Sequence, residues 1–324
     1  MTLCILGAGA FGSAMAVTLA KSSNKIILWS RSKTLTMAIK KDRENKKYLR
    51  NSLFPTNVQI TNCLELAVKD ASAIIMCIPV QKINNFFNEN HLKIPNVPIV
   101  LCSKGIDEKT TMLQSQIIRK FLNKNKIAIL TGPSFATELA IGLPTALTIA
   151  CKSKKTRISL QKSLSTPNLR LYSSSDIIGA QLGGSLKNVI AIGCGMVKGA
   201  NLGENARTAL MTRGLSEIID LGVAMGANIN TFYGLSGLGD LALTCNSMQS
   251  RNFTLGLNFN RNTSKRLRVT VEGVKTASAA TKLAKKYRVD TPIINTVDQI
   301  LKQKISLNSS IKALISRPLR KEFI

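Results

Sequence analysis

The chain has 324 residues, 44% of them hydrophobic, and 45 Lys+Arg against 17 Asp+Glu give it a formal net charge of +28. That length and apolar fraction describe a globular chain of about two domains, and seven cysteines set singly among apolar neighbours, with no Cys-x-x-Cys pair and one histidine, argue against a disulfide framework or a zinc site. The basic excess falls in short Lys/Asn-rich patches at 40–50, 119–126, 152–157 and 261–268 without aromatic interleaving, which reads as solvated faces that steer anionic ligands, with no dedicated nucleic-acid partner.

Residues 1–20 carry no charge, yet they lack a basic leader and are interrupted by Gly7, Gly9 and Gly12. They therefore read as mature protein with no membrane span and a cytoplasmic location. Short apolar runs at 3–6, 25–29, 73–78, 99–102, 127–130, 146–150 and 169–172 predict strands. Amphipathic stretches between them, such as 12–21, 110–122 and 154–164, predict helices. This alternation implies an α/β fold, a Rossmann-like, doubly wound and mostly parallel sheet. From residue 176 onward the 3.6-residue period takes over, as in 206–225 and 275–287, which predicts an all-helical remainder. The expected division is a dinucleotide-binding domain over 1–175 and a helical substrate domain over 176–324.

The first strand runs straight into Gly7-Ala8-Gly9-Ala10-Phe11-Gly12, which opens a helix. In that context the glycines allow a tight turn, close approach to a pyrophosphate and close helix packing, while the helix N-terminus offers amide donors. A methyltransferase or a flavin enzyme can use a similar loop. The second strand ends Trp29-Ser30-Arg31-Ser32-Lys33, with two cations where NAD-selective sites place a carboxylate. NADPH is therefore expected to serve at least as well as NADH.

Further segments close later strands. Cys102-Ser103-Lys104-Gly105 ends the 99–102 run, and Thr131-Gly132-Pro133-Ser134-Phe135-Ala136 ends the next, where α/β proteins bind ligands. In the helical half, Lys187 is the one charge between Asp176 and Lys198. Its helical neighbours are Gly183, Gly184, Ile190, Ala191 and Cys194, a small and apolar face. Either it snorkels at the edge of a core helix, or desolvation makes it a proton donor that works near neutral pH. Gly234 to Leu241, with Asp240, then Ser250-Arg251-Asn252 and Val271-Glu272-Gly273 complete the set. Each has a plain alternative: Asp240 as a helix cap, Arg251 as a surface cation, Glu272 as a helix-start carboxylate, Tyr48 as a packing residue.

Taken in order from residue 3 to about 315, these blocks strongly resemble the bacterial-type NAD(P)-dependent glycerol-3-phosphate dehydrogenases. The resemblance implies reduction of dihydroxyacetone phosphate, a small phosphorylated three-carbon ketone, to sn-glycerol 3-phosphate by NADPH or NADH without a metal. It implies Lys187 as the catalytic acid/base, and Lys104, Gly132, Ser134, Lys187, Asp240, Ser250, Arg251 and Asn252 as substrate contacts. For the cofactor it implies Ala10, Phe11, Arg31, Tyr48, Lys104, Ala136, Arg251, Thr270 and Glu272. Ala10 stands where a serine is frequent in the family and Thr270 where an aliphatic residue is. A homodimer stays open at this stage. So do two other readings: another lysine-dependent reductase of a small ketone or 2-oxo acid, and a dinucleotide-sensing binding protein without turnover.

Overall fold

The computed structural model describes residues 1–22, 24–259, 271–307 and 309–310. Its first half is β1 (Thr2–Leu6), α1 (Ala10–Ala20), β2 (Lys25–Trp29), α2 (Lys33–Asp42), β3 (Glu44–Asn45), β4 (Leu49–Leu53), β5 (Val58–Thr61), α3 (Leu64–Val68), β6 (Ala73–Met76), α4 (Val80–Asn90), β7 (Ile99–Leu101), α5 (Gln114–Arg119), β8 (Ile127–Thr131), α6 (Ala136–Ile141), β9 (Thr145–Cys151), α7 (Lys154–Leu164) and β10 (Leu169–Ser174). Eight of these strands form one sheet in the order β10-β9-β8-β7-β6-β1-β2-β5, and β3 pairs with β4 apart from it. Every pairing in the large sheet is parallel except β8 with β9. The central strands are buried along their whole length, as a sheet covered by helices on both faces requires. One apolar core lies under α1, α6 and α7, and a second under α3, α4 and α5.

From β1 the chain winds out to β2 and β5, then returns to β6 on the other side of β1. The point of reversal lies between β1 and β6, where doubly wound sheets bind their ligands. The glycine turn sits there. The β3–β4 hairpin is tied to it, because Asn45 Nδ2 donates to the Ala8 carbonyl at 2.9 Å and to Ser13 Oγ at 2.8 Å.

The helical half comprises α8 (Ile177–Gly199), α9 (Gly203–Ala224), α10 (Asn230–Tyr233), a π-helical turn (Leu235–Gly239), α11 (Asp240–Cys245), α12 (Arg251–Leu257), α13 (Glu272–Tyr287) and α14 (Pro292–Leu301). Asp176 starts α8 by accepting the Ile178 and Gly179 amides at 3.0 and 2.9 Å, which satisfies donors the helix itself leaves orphaned. Its other oxygen accepts from Asn228 N and Thr231 Oγ1, pinning the segment before α10 to the same end. By length and composition α8 is apolar enough to cross a bilayer, but 89% of that stretch is buried inside the protein. It is the axis of the third core, wrapped by α9, α11, α12, α13 and α14.

The seven expected strands are present, and three more, β3, β4 and β5, lie outside the expectation. The helix expected over 110–122 is a correction: it shrinks to Gln114–Arg119. Asp107 accepts from both the amide and the hydroxyl of Thr110, and Thr111 takes a left-handed φ of 58°, so a turn occupies the start of that stretch.

Candidate active site

Gly7 has φ +113°, and a Cβ there would stand 2.9 Å from the Cys77 carbonyl, so the turn passes tightly over the end of β6. At Gly12 a Cβ would collide with the Gly7 carbonyl, whereas at Gly9 it would meet nothing within 4 Å. That open space lies at the start of α1, which has no side-chain cap and no acidic residue in its first turn. A diphosphate fits such a cradle of free amide donors. Ala10 and Phe11 follow in that first turn, and Ala136 opens α6, which packs on α1. Arg31 is exposed just past β2, with Lys33 opening α2. Tyr48 is 47% exposed on the hairpin that Asn45 ties to the glycine turn. Thr270 lies outside the described residues.

Lys187 is 6% exposed, in the middle of α8. An isolated ammonium buried this far costs several kcal/mol, and here it is paired. It donates to Asp240 Oδ1 and, at 2.7 Å, to Thr244 Oγ1. Asp240 is wholly buried, and its second oxygen accepts from Lys104 Nζ at 2.7 Å. Lys104 also donates to the Gly132 carbonyl at 3.1 Å, an oxygen to which Ser134 Oγ donates at 3.3 Å. One carboxylate therefore joins two ammonium groups, one from the loop after β7 and one from α8. Asp240 is not a helix cap, since α11 continues directly from the π-helical turn and Gly239 is already helical.

The register of this cluster is set locally. Ser185, two residues before Lys187, accepts from the Gly105 amide at 2.9 Å and donates to the Gln181 carbonyl at 2.6 Å, fastening the Lys104 loop to α8. Thr244 follows Asp240 by one helical turn and donates to its backbone carbonyl at 2.6 Å, which leaves its oxygen free to accept Lys187. The sequence reading does not single out Thr244. A hydroxyl four residues beyond a candidate carboxylate on one helix is the signal that marks it.

Burial pulls the Lys187 ammonium down to about 8; Asp240 opposes this and the like charge of Lys104 adds to it. At neutral pH it holds its proton but can release it. Glu272, partly exposed as a residue at the start of α13, has its carboxyl pushed up to about 7 by desolvation, against the pull of Arg251, Lys104 and Lys187 and a hydrogen bond with the Lys104 backbone. Arg251 is exposed at the first position of α12, behind the capping hydroxyl of Ser250, which accepts from Phe253 N at 3.2 Å. Asn252 Oδ1 accepts from the Gly273 amide at 3.1 Å and so joins the starts of α12 and α13. Lys104, Gly132, Lys187 and Asp240 thus meet directly, with Ser134 one bond removed and Arg251 and Glu272 beside them. A surface cavity of about 420 Å³ beside α5 and β9 shares none of these residues. Among the described residues no cluster of three or more His, Cys, Asp or Glu is placed to hold a metal.

A doubly wound sheet with an open glycine cradle at its reversal point, next to a buried lysine held by a carboxylate, defines a dinucleotide-dependent oxidoreductase. Residues 2–157 match the family of the NAD-dependent glycerol-3-phosphate dehydrogenase N-terminus, and residues 176–312 that of its C-terminus. The chain is 43% identical over 323 residues to a protein of Ruegeria sp. (strain TM1040) named glycerol-3-phosphate dehydrogenase [NAD(P)+], covering 99% of this chain and 100% of that one. A protein of the same name from Brucella suis biovar 1 is 41% identical over 321 residues, covering 99% and 98%. The crystal structure of glycerol-3-phosphate dehydrogenase from Coxiella burnetii superposes with a TM-score of 0.93 at 32% identity, covering 98% of this chain and 99% of that one. The chain belongs to the NAD-dependent glycerol-3-phosphate dehydrogenase family.

Proposed function

We propose that this chain reduces dihydroxyacetone phosphate to sn-glycerol 3-phosphate, the backbone precursor of glycerophospholipids, with NADPH or NADH. The observation that carries the chemistry is the buried Lys187–Asp240–Lys104 bridge. A reduced nicotinamide held at the glycine turn would supply the hydride for the carbonyl carbon. As charge develops on the carbonyl oxygen, Lys187 Nζ transfers a proton to it and is left as a neutral amine, which solvent reprotonates. Asp240 and Thr244 hold Lys187 in place, and the Lys104 ammonium lends a second positive charge to the same oxygen.

The phosphate group falls to Arg251, flanked by Ser250 and Asn252, with Gly132 and Ser134 as further substrate contacts. A guanidinium holds two phosphate oxygens at once. On the cofactor side Gly7, Gly9, Ala10, Phe11 and Gly12 face the diphosphate. Arg31 and Tyr48 take the adenosine end, and Lys104, Ala136, Arg251, Thr270 and Glu272 complete the set. Arg31 and Lys33 favour a 2′-phosphate, so NADPH serves at least as well as NADH. The division into two units near 175/176 is supported by a third core that the helices from α8 onward supply almost entirely, joined by Ile106 and Leu113 from the first half. We place the enzyme in the cytoplasm, without a dedicated nucleic-acid partner or a membrane span, and a homodimer stays open.

Consumption of NADPH dependent on dihydroxyacetone phosphate tests this reading. A purified protein that binds NADPH but does not oxidise it with this substrate contradicts it. Turnover of an unphosphorylated 2-oxo acid in its place would favour the rival reductase.

A further inference from the structure

Side chains alternate along β8: Ala128 and Leu130 enter the core under α1, and Ile127 and Ile129 the core on the opposite face. Thr131 continues the second series, toward α8. It is 3% exposed, and its hydroxyl has no hydrogen-bond partner. Valine has the same shape and would leave no polar atom stranded, so the fold alone gains nothing from the oxygen. A buried hydroxyl without a partner is destabilising, because it has given up water and gained nothing in return.

The surroundings of that oxygen show where a partner can come from. A Cβ at Gly184 of α8 would stand 2.5 Å from Thr131 Oγ1 and 3.7 Å from Lys104 Cγ. The missing side chain at Gly184 therefore opens a notch that the threonine hydroxyl and the Lys104 stem share. The Lys104 ammonium is anchored one residue further on, at the Gly132 carbonyl, and on Asp240. Gly132 belongs to the proposed substrate contacts. A substrate hydroxyl that donates to the Gly132 carbonyl would compete with Lys104 for it.

We propose that Thr131 is a positioning residue for Lys104: its hydroxyl accepts the Lys104 ammonium when substrate displaces it from the Gly132 carbonyl, and so fixes the second positive charge beside the reacting oxygen. The oxygen is enclosed and acts through Lys104, without touching substrate itself. The proposal rests on Lys104 being part of the substrate site.

The test compares Thr131→Val, Thr131→Ser, Lys104→Met and the Thr131→Val/Lys104→Met pair, by steady-state reduction of dihydroxyacetone phosphate and by thermal unfolding. Thr131→Val should lower kcat roughly tenfold or more while its Tm stays level or rises and its KM for NADPH is unchanged. Thr131→Ser should restore kcat to within about threefold of wild type, since it keeps the oxygen. In the Lys104→Met background Thr131→Val should add no further loss, because residues acting through one another are not additive. A Thr131→Val enzyme as fast as wild type overturns the proposal. So does the same loss with and without Lys104, or a serine variant no better than the valine one. Full activity of Lys104→Met would remove Lys104 from the substrate site and the proposal with it. A large loss in Lys104→Met beside an unaffected Thr131→Val overturns the positioning role alone. If the valine variant does not fold, Thr131→Ala against Thr131→Ser makes the same comparison.

Discussion

At the glycine turn, the groups that can meet a dinucleotide are backbone amides presented by consecutive residues at the start of α1. The charge cluster is assembled otherwise. Lys104, Lys187, Asp240 and Glu272 come from separate stretches of the chain and meet only once α8, α11 and α13 have packed against the sheet. The first site depends mainly on local chain geometry, with the close pass over Cys77 and the Asn45 tie as its distant supports, so few changes elsewhere disturb it. In the second, each group sets the charge state of the others, and removing one alters what remains.

The largest break in that comparison is Lys187→Ala. We expect kcat for reduction to fall about 10³-fold while NADPH still binds with its wild-type affinity, measured by fluorescence titration. Activity within about tenfold of wild type would remove Lys187 from the acid/base role. Asp240→Asn is next. It strands two ammonium groups in a buried site, and we expect kcat to fall about 10²-fold and stability by about 3–5 kcal/mol, read by denaturant unfolding. Asp240 also raises the Lys187 pKa, so without it the high-pH limb of the rate profile should move to lower pH. A limb that stays in place would show that the carboxylate does not govern the lysine.

Arg251→Ala sharpens the contrast on the substrate side. Its kcat/KM for dihydroxyacetone phosphate should fall about tenfold to hundredfold, with little change for unphosphorylated dihydroxyacetone. An equal loss with both would leave the guanidinium its cofactor role alone and take the phosphate from it. The smallest effect belongs to the cofactor end, where the exposed Arg31→Ala should raise KM for NADPH by about tenfold or less and leave NADH unaffected.

The sheet was legible because its strands are continuous apolar runs, and the strand over Lys25–Trp29 and the helix over Lys154–Leu164 fall where the pattern ends. The edge elements were not. Leu49–Leu53 buries only its first and fourth residues and lies among Lys, Arg and Asn, and Glu44–Asn45 is too short to leave a period. The antiparallel pairing of β9 with β8 was also invisible, since an apolar run carries no direction. Within the candidate site, Lys187 stood out as a charge without company, and the glycine turn by its spacing. What could not be read was that Asp240 reaches both lysines, because that depends on how α11 packs on α8. Thr131 escaped for the opposite reason, since threonine is an ordinary strand residue and only its missing partner sets it apart.

The pH dependence of kcat in the two directions tests the central claim, that Lys187 in this bridge moves the proton. Burial places its folded pKa at about 8, below the 10.5 of a free lysine, so the ammonium is lost as pH rises through about 8. Reduction consumes the ammonium and oxidation of glycerol 3-phosphate consumes the amine. The account predicts that kcat for reduction falls and kcat for oxidation rises across that pKa, and that Asp240→Asn shifts both limbs downward together. Limbs of the same sign in both directions, or profiles flat through this range, would contradict it.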